Sequence, residues 1–304
     1  MYFIKLINNL LIFHFQKLSR QLYNANDSSK VRCSALNLFC ILLLKASHEL
    51  EFEGFDFGRF VEQLYIDIKK NKGSLVLYHQ LVTLGILCNC CPENVAPKAN
   101  LILKILKEQL IKKTGRQPDL TVAAGAVKGL TYYINNFPQG LEDNSAFYSD
   151  LYPHIHKLLN PELKLPKREA QRAALDLIFN HGAKFAEHLL QYHEVLFKWL
   201  IIWCRSSNRD DHKVGVKAMD TFIVVLANAL ELQEDDNGQG VQIFKFLLKE
   251  FNELIESSKT SSHISLAVKG YGLLSGACKI YLSSDDVFKM FSRVLSVSHQ
   301  GFFQ

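Results

Sequence analysis

The sequence predicts an all-α fold of about six helix pairs stacked side by side. The main observation is a short pattern that recurs along the chain: a small residue, then large apolar residues around a polar or small spacer. Copies begin at residues 35, 80, 126, 174, 218 and 267, with the copy at residue 80 the most degraded. A period of about 40–47 residues built from helix pairs is typical of a HEAT/armadillo-type α-solenoid, an ARM-like superhelix. Each pair buries its apolar face against the next one.

Two further observations favour helices over strands. Phe244, Leu247, Leu248 and Phe251 follow the i, i+3, i+4, i+7 spacing of one helix face, and no segment alternates convincingly with period two. Only 7 Pro and 16 Gly interrupt 304 residues, of which 48% are hydrophobic, as long helices around a large core require. Length alone would allow two or three globular domains. The repeat predicts instead one continuous helical segment over residues 1–304.

Capping residues and chain breakers give approximate bounds for thirteen helices. Residues 24–29 are rich in N-cap residues, and Pro166 suits a first helical turn. Thr114 and Gly115 form a usual C-terminal stop. The expected helices cover about residues 3–23, 29–48, 59–71, 74–91, 95–113, 118–137, 143–159, 166–182, 185–205, 208–232, 241–257, 262–281 and 284–298.

Glycines four residues apart inside two of these helices indicate close helix packing. Gly125 and Gly129 form one pair, and Gly272 and Gly276 form the other. Glycine costs about 1 kcal/mol relative to alanine in a helix interior, so its presence there needs a compensating gain. We expect both pairs to lie where neighbouring repeats approach closely.

No catalytic constellation and no metal or cofactor site is predicted in this segment. The sequence has no nucleotide-binding loop, nucleophile elbow, H-E-x-x-H or protein-kinase motif. The one cluster among the seven cysteines, at residues 88–91, lacks the histidine partners of a zinc site. The odd number and scattered positions of the cysteines indicate a reducing compartment. The apolar run at residues 1–15 is short of the ~20 residues that a membrane span needs.

The basic residues are the strongest candidates for a binding site. The net charge is +5, which permits contact with nucleic acid or an acidic partner without requiring it. Equivalent turns of a solenoid align on one edge, so basic turns could form a stripe that contacts phosphates without reading sequence. Lysine near a helix C-terminus also stabilises the macrodipole, and this alternative stays open. The candidate nucleic-acid-binding residues are Lys69, Lys70, Lys72, Lys112, Lys113, Arg116, Lys167 and Arg168.

Three stretches of the chain resemble a known family. Residues 123–130 (AAGAVKGL), continuing to 136–137, resemble a segment of the DNA-dependent protein kinase catalytic subunits, within the phosphatidylinositol-kinase-related kinases. Residues 264–279 match most specifically, because their Gly and Cys positions follow the family pattern. Residues 196–199, with Cys204 nearby, match more weakly. The similarity runs from about Asp27 to the C-terminal end.

The resemblance implies a fragment of the N-terminal helical arm of such a protein, with the kinase domain absent and the family's first helices expected before Met1. In that family the arm and the Ku heterodimer surround broken DNA ends. The whole enzyme is a nuclear serine/threonine kinase acting in double-strand break repair by non-homologous end joining. The implied partners are double-stranded DNA ends, Ku and the remainder of the parent kinase, and no membrane.

The family likeness also bears on single residues. The turn at residues 69–72 resembles a lysine-rich turn of the family's arm, which favours DNA contact there. Gly129, Gly270 and Gly272 match family glycines, for which only a packing role is inferred. ATP and magnesium would belong to the kinase domain, so no cofactor is implied for this segment.

Two other classes of protein remain open. A generic helical-repeat scaffold for protein–protein contact, of the transport or phosphatase-scaffold type, would hold peptides on a face lined with Trp, Asn or acidic residues. The sequence has no repeated Trp-Asn array. An enzyme in its own right would need titratable residues converging in one pocket, and the sequence predicts none.

Overall fold

The computed structural model describes residues 28–46, 55–70, 73–111, 119–137, 145–160, 168–232, 238–257, 261–277 and 283–301, and these ranges contain helices and no strands. The predicted all-α class is confirmed, whereas the HEAT or armadillo type stays a prediction. Twelve helices of at least 12 residues lie in the described ranges, the number that about six pairs require. The helices are α1 Ser29–Ala46, α2 Phe57–Lys70, α3 Ser74–Cys90, α4 Pro92–Val95, α5 Ala99–Leu110, α6 Leu120–Asn136, α7 Ser145–Leu159, α8 Arg168–His181, α9 Ala186–Gln191, α10 His193–Cys204, α11 Arg209–Leu232, α12 Gln239–Ser257, α13 Ser261–Ala277 and α14 Ser284–Gly301, with 3-10 turns at Ala96–Lys98 and Gly182–Phe185.

The chain divides into two compact units, Met1–Leu177 and Ile178–Gln304. The expectation of one continuous repeat segment over residues 1–304 stays a prediction.

Two of the helices expected from the sequence are interrupted in the structure. The helix expected at residues 185–205 is two helices, α9 and α10, which meet at Tyr192, a residue with φ −110° and ψ 22°. His193 Nδ1 lies 2.7 Å from the carbonyl oxygen of Leu190 at this break. The helix expected from residue 95 begins only at Ala99, after a 3-10 turn that contains Pro97. The first expected helix, at residues 3–23, lies outside the described residues.

In the first unit, successive copies of the sequence repeat lie side by side. The copies that begin at residues 35, 80 and 126 fall in α1, α3 and α6. Cys40 Sγ of α1 lies 3.3 Å from Thr83 Oγ1 of α3, and Asn136 Nδ2 of α6 donates to Asn89 Oδ1 of α3 at 3.3 Å. These partners are 43 and 47 residues apart. The sequence period is therefore the separation between residues that meet on neighbouring helices.

Glycines bring α3 and α6 into backbone contact. A Cβ atom added at Gly85 would lie 2.5 Å from Gly129 Cα, and one added at Gly129 would lie 2.8 Å from the carbonyl oxygen of Leu81. A Cβ at Gly125 would lie 2.9 Å from Tyr78 Cα. Real Cβ atoms do not approach backbone atoms this closely, so glycine alone fits at all three positions. The expected packing role of Gly125 and Gly129 is confirmed.

Apolar side chains close the core around this contact. Leu81, Leu84, Leu106 and Leu130 are fully buried in the first unit. Burial of one such side chain contributes about 1.5–3 kcal/mol relative to exposure, so the close approach of the helices is stabilised by the leucines on either side of the glycines.

In the second unit, one carbonyl group ties three helices together. The carbonyl oxygen of Cys204 lies at the C-terminal end of α10, where helical carbonyls have no partner within the helix. It accepts hydrogen bonds from His212 Nδ1 of α11 at 2.6 Å and from His263 Nε2 of α13 at 3.0 Å, in the tautomers that carry hydrogen on those nitrogens. The adjacent Trp203 is 1% exposed and packs against Gly215 of α11.

The glycines of α13 do not behave as the sequence predicts. A Cβ added at Gly272 or Gly276 would meet no atom of the described residues within 4 Å, so the expected close approach at this pair is wrong. The residue of this stretch that meets a neighbour is Gly270, where an added Cβ would clash with the ring of Phe251 in α12. Helical periodicity does not reveal which face of a helix approaches its neighbour.

No single described helix is long and apolar enough to cross a membrane. Residues 74–90 and 92–110 meet the length and composition test only when joined, and they are bent by 119° at the break between them.

The glycine contact predicts opposite effects for two glycine-to-alanine substitutions. Gly129→Ala forces a methyl group against Leu81 and Leu106 and is expected to lower the free energy of unfolding by about 1–3 kcal/mol, as overpacked cores do. The matched control, Gly272→Ala, adds a methyl group in open space and is expected to raise it by up to about 1 kcal/mol through helix propensity. Urea unfolding followed by circular dichroism measures both. Equal stability of Gly129→Ala and the wild type would refute the backbone contact.

Candidate nucleic-acid interface

Three of the eight candidate residues lie in the described ranges. Lys69 and Lys70 are the last two residues of α2, and Arg168 is the first residue of α8; all three are exposed. The structure therefore brings Lys69 and Lys70 together at one helix end, whereas Arg168 begins a different helix. The predicted stripe that would join these turns stays a prediction. The remaining candidates, Lys72, Lys112, Lys113, Arg116 and Lys167, lie outside the described residues.

The amphipathic character of α2 positions its two terminal lysines. Phe60, Leu64 and Ile68 are buried on one face of the helix, so the residues that follow Ile68 turn towards solvent. Lys69 Nζ lies 4.1 Å from the centroid of the Tyr65 ring, one turn earlier, in a cation–π contact. Both ammonium groups also lie at the negative end of the helix dipole. The geometry fits contact with phosphates and fits dipole stabilisation equally well.

A polar cluster lies beside Arg168 and joins three helices. Tyr78 Oη of α3 donates to Glu169 Oε1 of α8 at 2.5 Å. Lys128 Nζ of α6 donates to Tyr78 Oη at 2.7 Å and to Glu169 Oε1 at 3.1 Å. The ammonium group of Lys128 therefore has hydrogen-bonding partners within the first unit, whereas the side chains of Lys69 and Lys70 are exposed.

Burial and hydrogen bonding set the protonation of this cluster. Burial raises the pKa of the Tyr78 hydroxyl, and the hydrogen bond to Glu169 raises it further, so the hydroxyl stays a donor. Burial alone would raise the pKa of Glu169, but hydrogen bonds from Tyr78 and Lys128 outweigh it and lower that pKa. Burial lowers the pKa of the neighbouring His79. At neutral pH the cluster therefore pairs a neutral phenol with a carboxylate.

The buried cysteines do not supply reactive thiolates. Burial raises the pKa of Cys88, Cys91 and Cys204 to about 12, so these thiols are protonated at neutral pH. Within the described ranges, no group of three or more His, Cys, Asp or Glu residues is placed to hold a metal ion.

A second concentration of basic residues, which was not predicted from the sequence, lies in the second unit. Arg209, Lys213 and Lys217 lie at four-residue intervals on α11, and Lys269 faces them from α13. The four-residue spacing is a visible signal of one helix face. The contribution of Lys269 is not visible in the sequence, because only the packing of α13 against α11 brings it there.

The polar cluster predicts a pH-dependent contribution to stability. A carboxyl group whose pKa is lowered by folding stabilises the protein fully above its ordinary value, 4.5 for Glu169, and this stabilisation is lost as the pH falls through the folded-state pKa. We expect the difference in free energy of unfolding between the wild type and Glu169→Gln to be smaller at about pH 3 than at pH 7. Urea unfolding at both pH values measures it.

A surface ion pair supplies the control for this experiment. Glu253 lies 3.8 Å from Lys249 on α12, and both side chains are exposed. Exposed pairs of this kind contribute little, so Glu253→Gln is expected to change the free energy of unfolding only slightly at either pH. A pH-independent effect of Glu169→Gln would contradict the lowered pKa.

Comparison with known proteins identifies the family. The family model described as DNA-PKcs, N-terminal, matches residues 13–304. Curated relatives named DNA-dependent protein kinase catalytic subunit are 25% identical over 264 residues in Xenopus laevis and 26% identical over 286 residues in Canis lupus familiaris. These alignments cover 84% and 92% of this chain but 6% and 7% of the relatives.

A solved structure agrees with the fold. A crystal structure of an engineered protein superimposes with a TM-score of 0.50 and 13% sequence identity, covering 87% of this chain and 97% of that one. At this identity the likeness concerns the fold alone. The family resemblance seen in residues 123–130 and 264–279 is confirmed by the match along residues 13–304: the chain belongs to the DNA-PKcs N-terminal family.

Proposed function

We propose that the chain is a scaffold segment in the N-terminal helical arm of a DNA-dependent protein kinase catalytic subunit, and that it contacts DNA ends, the Ku heterodimer or both. The observation that carries the proposal is the family match over residues 13–304. The relatives are named DNA-dependent protein kinase catalytic subunit. The proposal therefore includes a nuclear protein that acts in double-strand break repair by non-homologous end joining, as a serine/threonine kinase when whole.

The proposed mechanism is positional. Stacked helices hold the ends of α2 and its neighbours in place, and exposed ammonium groups such as those of Lys69 and Lys70 meet backbone phosphates. Contacts of this kind position a duplex without reading its sequence. We place the kinase reaction, with its ATP and magnesium, in another part of the larger subunit.

The lysine pair predicts salt-sensitive DNA binding. Each lysine that neutralises a phosphate contributes about 0.9 to the slope of log affinity against log salt concentration. Lys69→Gln with Lys70→Gln is therefore expected to reduce the slope by about 2. Fluorescence anisotropy of a labelled duplex end, titrated with the 304-residue chain between about 50 and 200 mM salt, measures the slope.

The control removes two charges elsewhere. Lys245 and Lys249 are exposed on α12, and Lys249 is already paired with Glu253, so Lys245→Gln with Lys249→Gln is expected to leave the slope nearly unchanged. Binding that appears only with Ku present would make the segment a protein-docking surface. Unaltered salt dependence in the Lys69/Lys70 variant would remove these residues from the interface.

The last described helix has an apolar face that fits a further part of the larger subunit. Phe288 and Phe291 of α14 are 71% and 63% exposed, and Val287 and Leu295 on the same side are about half exposed. Met290 of the same helix is buried. Because the chain covers only 6–7% of the length of its relatives, we propose that helices of the remaining subunit cover this face.

The apolar face predicts self-association of the isolated chain. Phe288→Glu with Phe291→Glu is expected to reduce concentration-dependent association while leaving the free energy of unfolding nearly unchanged, since both side chains are exposed. Sedimentation velocity over a concentration series measures association. The control, Lys289→Glu, makes the same change in net charge at an exposed position of α14 outside the apolar face and is expected to leave association unchanged. A similar decrease in both variants would attribute association to charge rather than to the apolar face.

A further inference from the structure

A cleft in the second unit collects positive charge that the proposed DNA contact at Lys69 and Lys70 does not use. It lies between α11 and α13, has a volume of about 560 Å³, and is called the basic cleft here. Lys269 of α13 forms an ion pair with Asp220 of α11 at 2.8 Å, which holds the two walls together. These partners are 49 residues apart, one sequence repeat.

The charge of the basic cleft is strongly one-sided. Its basic residues are Arg209, Lys213, Lys217 and Lys269, and Asp220 is the one carboxylate among its described lining residues. That carboxylate is already paired with Lys269. Among the residues that the structure describes, no carboxylate forms an ion pair with Arg209, Lys213 or Lys217.

The three cations on α11 lie in a row. Residues 209, 213 and 217 follow one another at four-residue intervals, which places them on one face of the helix about 6 Å apart along its axis. Like charges at this spacing destabilise a helix, so the row has a cost in the free protein. Within the described part of the chain, Lys217 is the member of the row with a local partner, the ring of Phe179, with Nζ 5.1 Å from the ring centroid. An anionic ligand lying along the cleft would remove the repulsion.

The residues that line the basic cleft favour phosphate groups over a protein as its ligand. Protein interfaces bury aromatic anchors, and their centres are depleted of charge and of lysine. Val216 and Leu266 are the apolar side chains among its described lining residues, which include no Phe, Tyr or Trp, while its cations are exposed. Open rows of exposed Lys and Arg are the arrangement that follows a phosphate backbone.

We propose that the basic cleft binds phosphate groups, those of a nucleic-acid backbone. The proposal deepens the DNA contact proposed above and rests on it for the source of the phosphates alone. A free polyphosphate would offer the same chemistry, so the experiment includes both sources. The cleft would give the chain a second phosphate contact, in a different unit from Lys69 and Lys70.

The test removes two adjacent cations of the cleft from the 304-residue chain. Lys213→Gln with Lys217→Gln is expected to lower the salt slope of duplex binding by about 2, because each lost phosphate contact removes about 0.9. The control is Lys245→Gln with Lys249→Gln, which has the same charge change and the same four-residue spacing on α12 of the same unit. Unfolding in urea verifies that both variants are folded. Isothermal titration calorimetry with tripolyphosphate forms the second arm.

Each outcome decides the proposal. A lower slope for the cleft variant alone supports the proposal with nucleic acid as the source. Tripolyphosphate binding that weakens in the cleft variant, in a chain that does not bind DNA, supports the phosphate site and refutes the proposed DNA contact. The proposal is overturned if DNA binding is lost in the Lys69/Lys70 variant but not in the cleft variant, and if the cleft variant still binds tripolyphosphate as the wild type does. This result would retain the proposed function. A polyglutamate peptide serves as a non-phosphate anion in the same titration. If its binding weakens in the cleft variant as much as that of tripolyphosphate, the cleft does not select phosphate and the proposal is overturned.

Discussion

The first unit depends on the backbone contact between α3 and α6. Gly85, Gly125 and Gly129 leave no room for a side chain, so the two helices approach until backbone meets backbone. The leucines on either side of the contact, among them Leu81 and Leu130, are fully buried as a result. A longer side chain at any of the three glycines would separate the helices and reopen these apolar surfaces to water.

The polar contacts of the first unit follow from this close approach. Tyr78 lies opposite Gly125, and its hydroxyl reaches both Lys128 of α6 and Glu169 of α8. The three polar groups satisfy one another only when the three helices are in a single register. A slip of one helical turn would separate Glu169 from both Tyr78 and Lys128.

Much of the fold could be predicted from the sequence, because the period of the sequence repeat equals the separation between residues that contact each other on neighbouring helices. Positions about 45 residues apart must be small or apolar since they meet on adjacent helices, as Cys40 and Thr83 do. The break at Tyr192 could not be predicted, because neither Gly nor Pro marks it. The exposure of Gly272 could not be predicted for a similar reason, since helical periodicity does not indicate which neighbouring helix a face contacts.

The candidate site was predictable where it depends on local sequence. Lys69 and Lys70 end a helix as expected, because an amphipathic pattern stops there and lysine suits a helix C-terminus. The basic cleft needs Lys269 to face a row of residues at 209–217, about one repeat away. Such a grouping exists only after the helices have packed, so counting charge along the chain does not find it.

The shared carbonyl of Cys204 has a consequence for the cooperativity of the second unit. In repeat proteins, contacts between neighbouring helices allow one end to unfold while the other persists. Here the end of α10 is completed by His212 close by and by His263, 59 residues further along the chain. Opening α13 therefore removes a hydrogen bond from α10 as well as its own contacts. The helices of this unit are thereby coupled towards opening together rather than fraying one at a time from the C-terminal side.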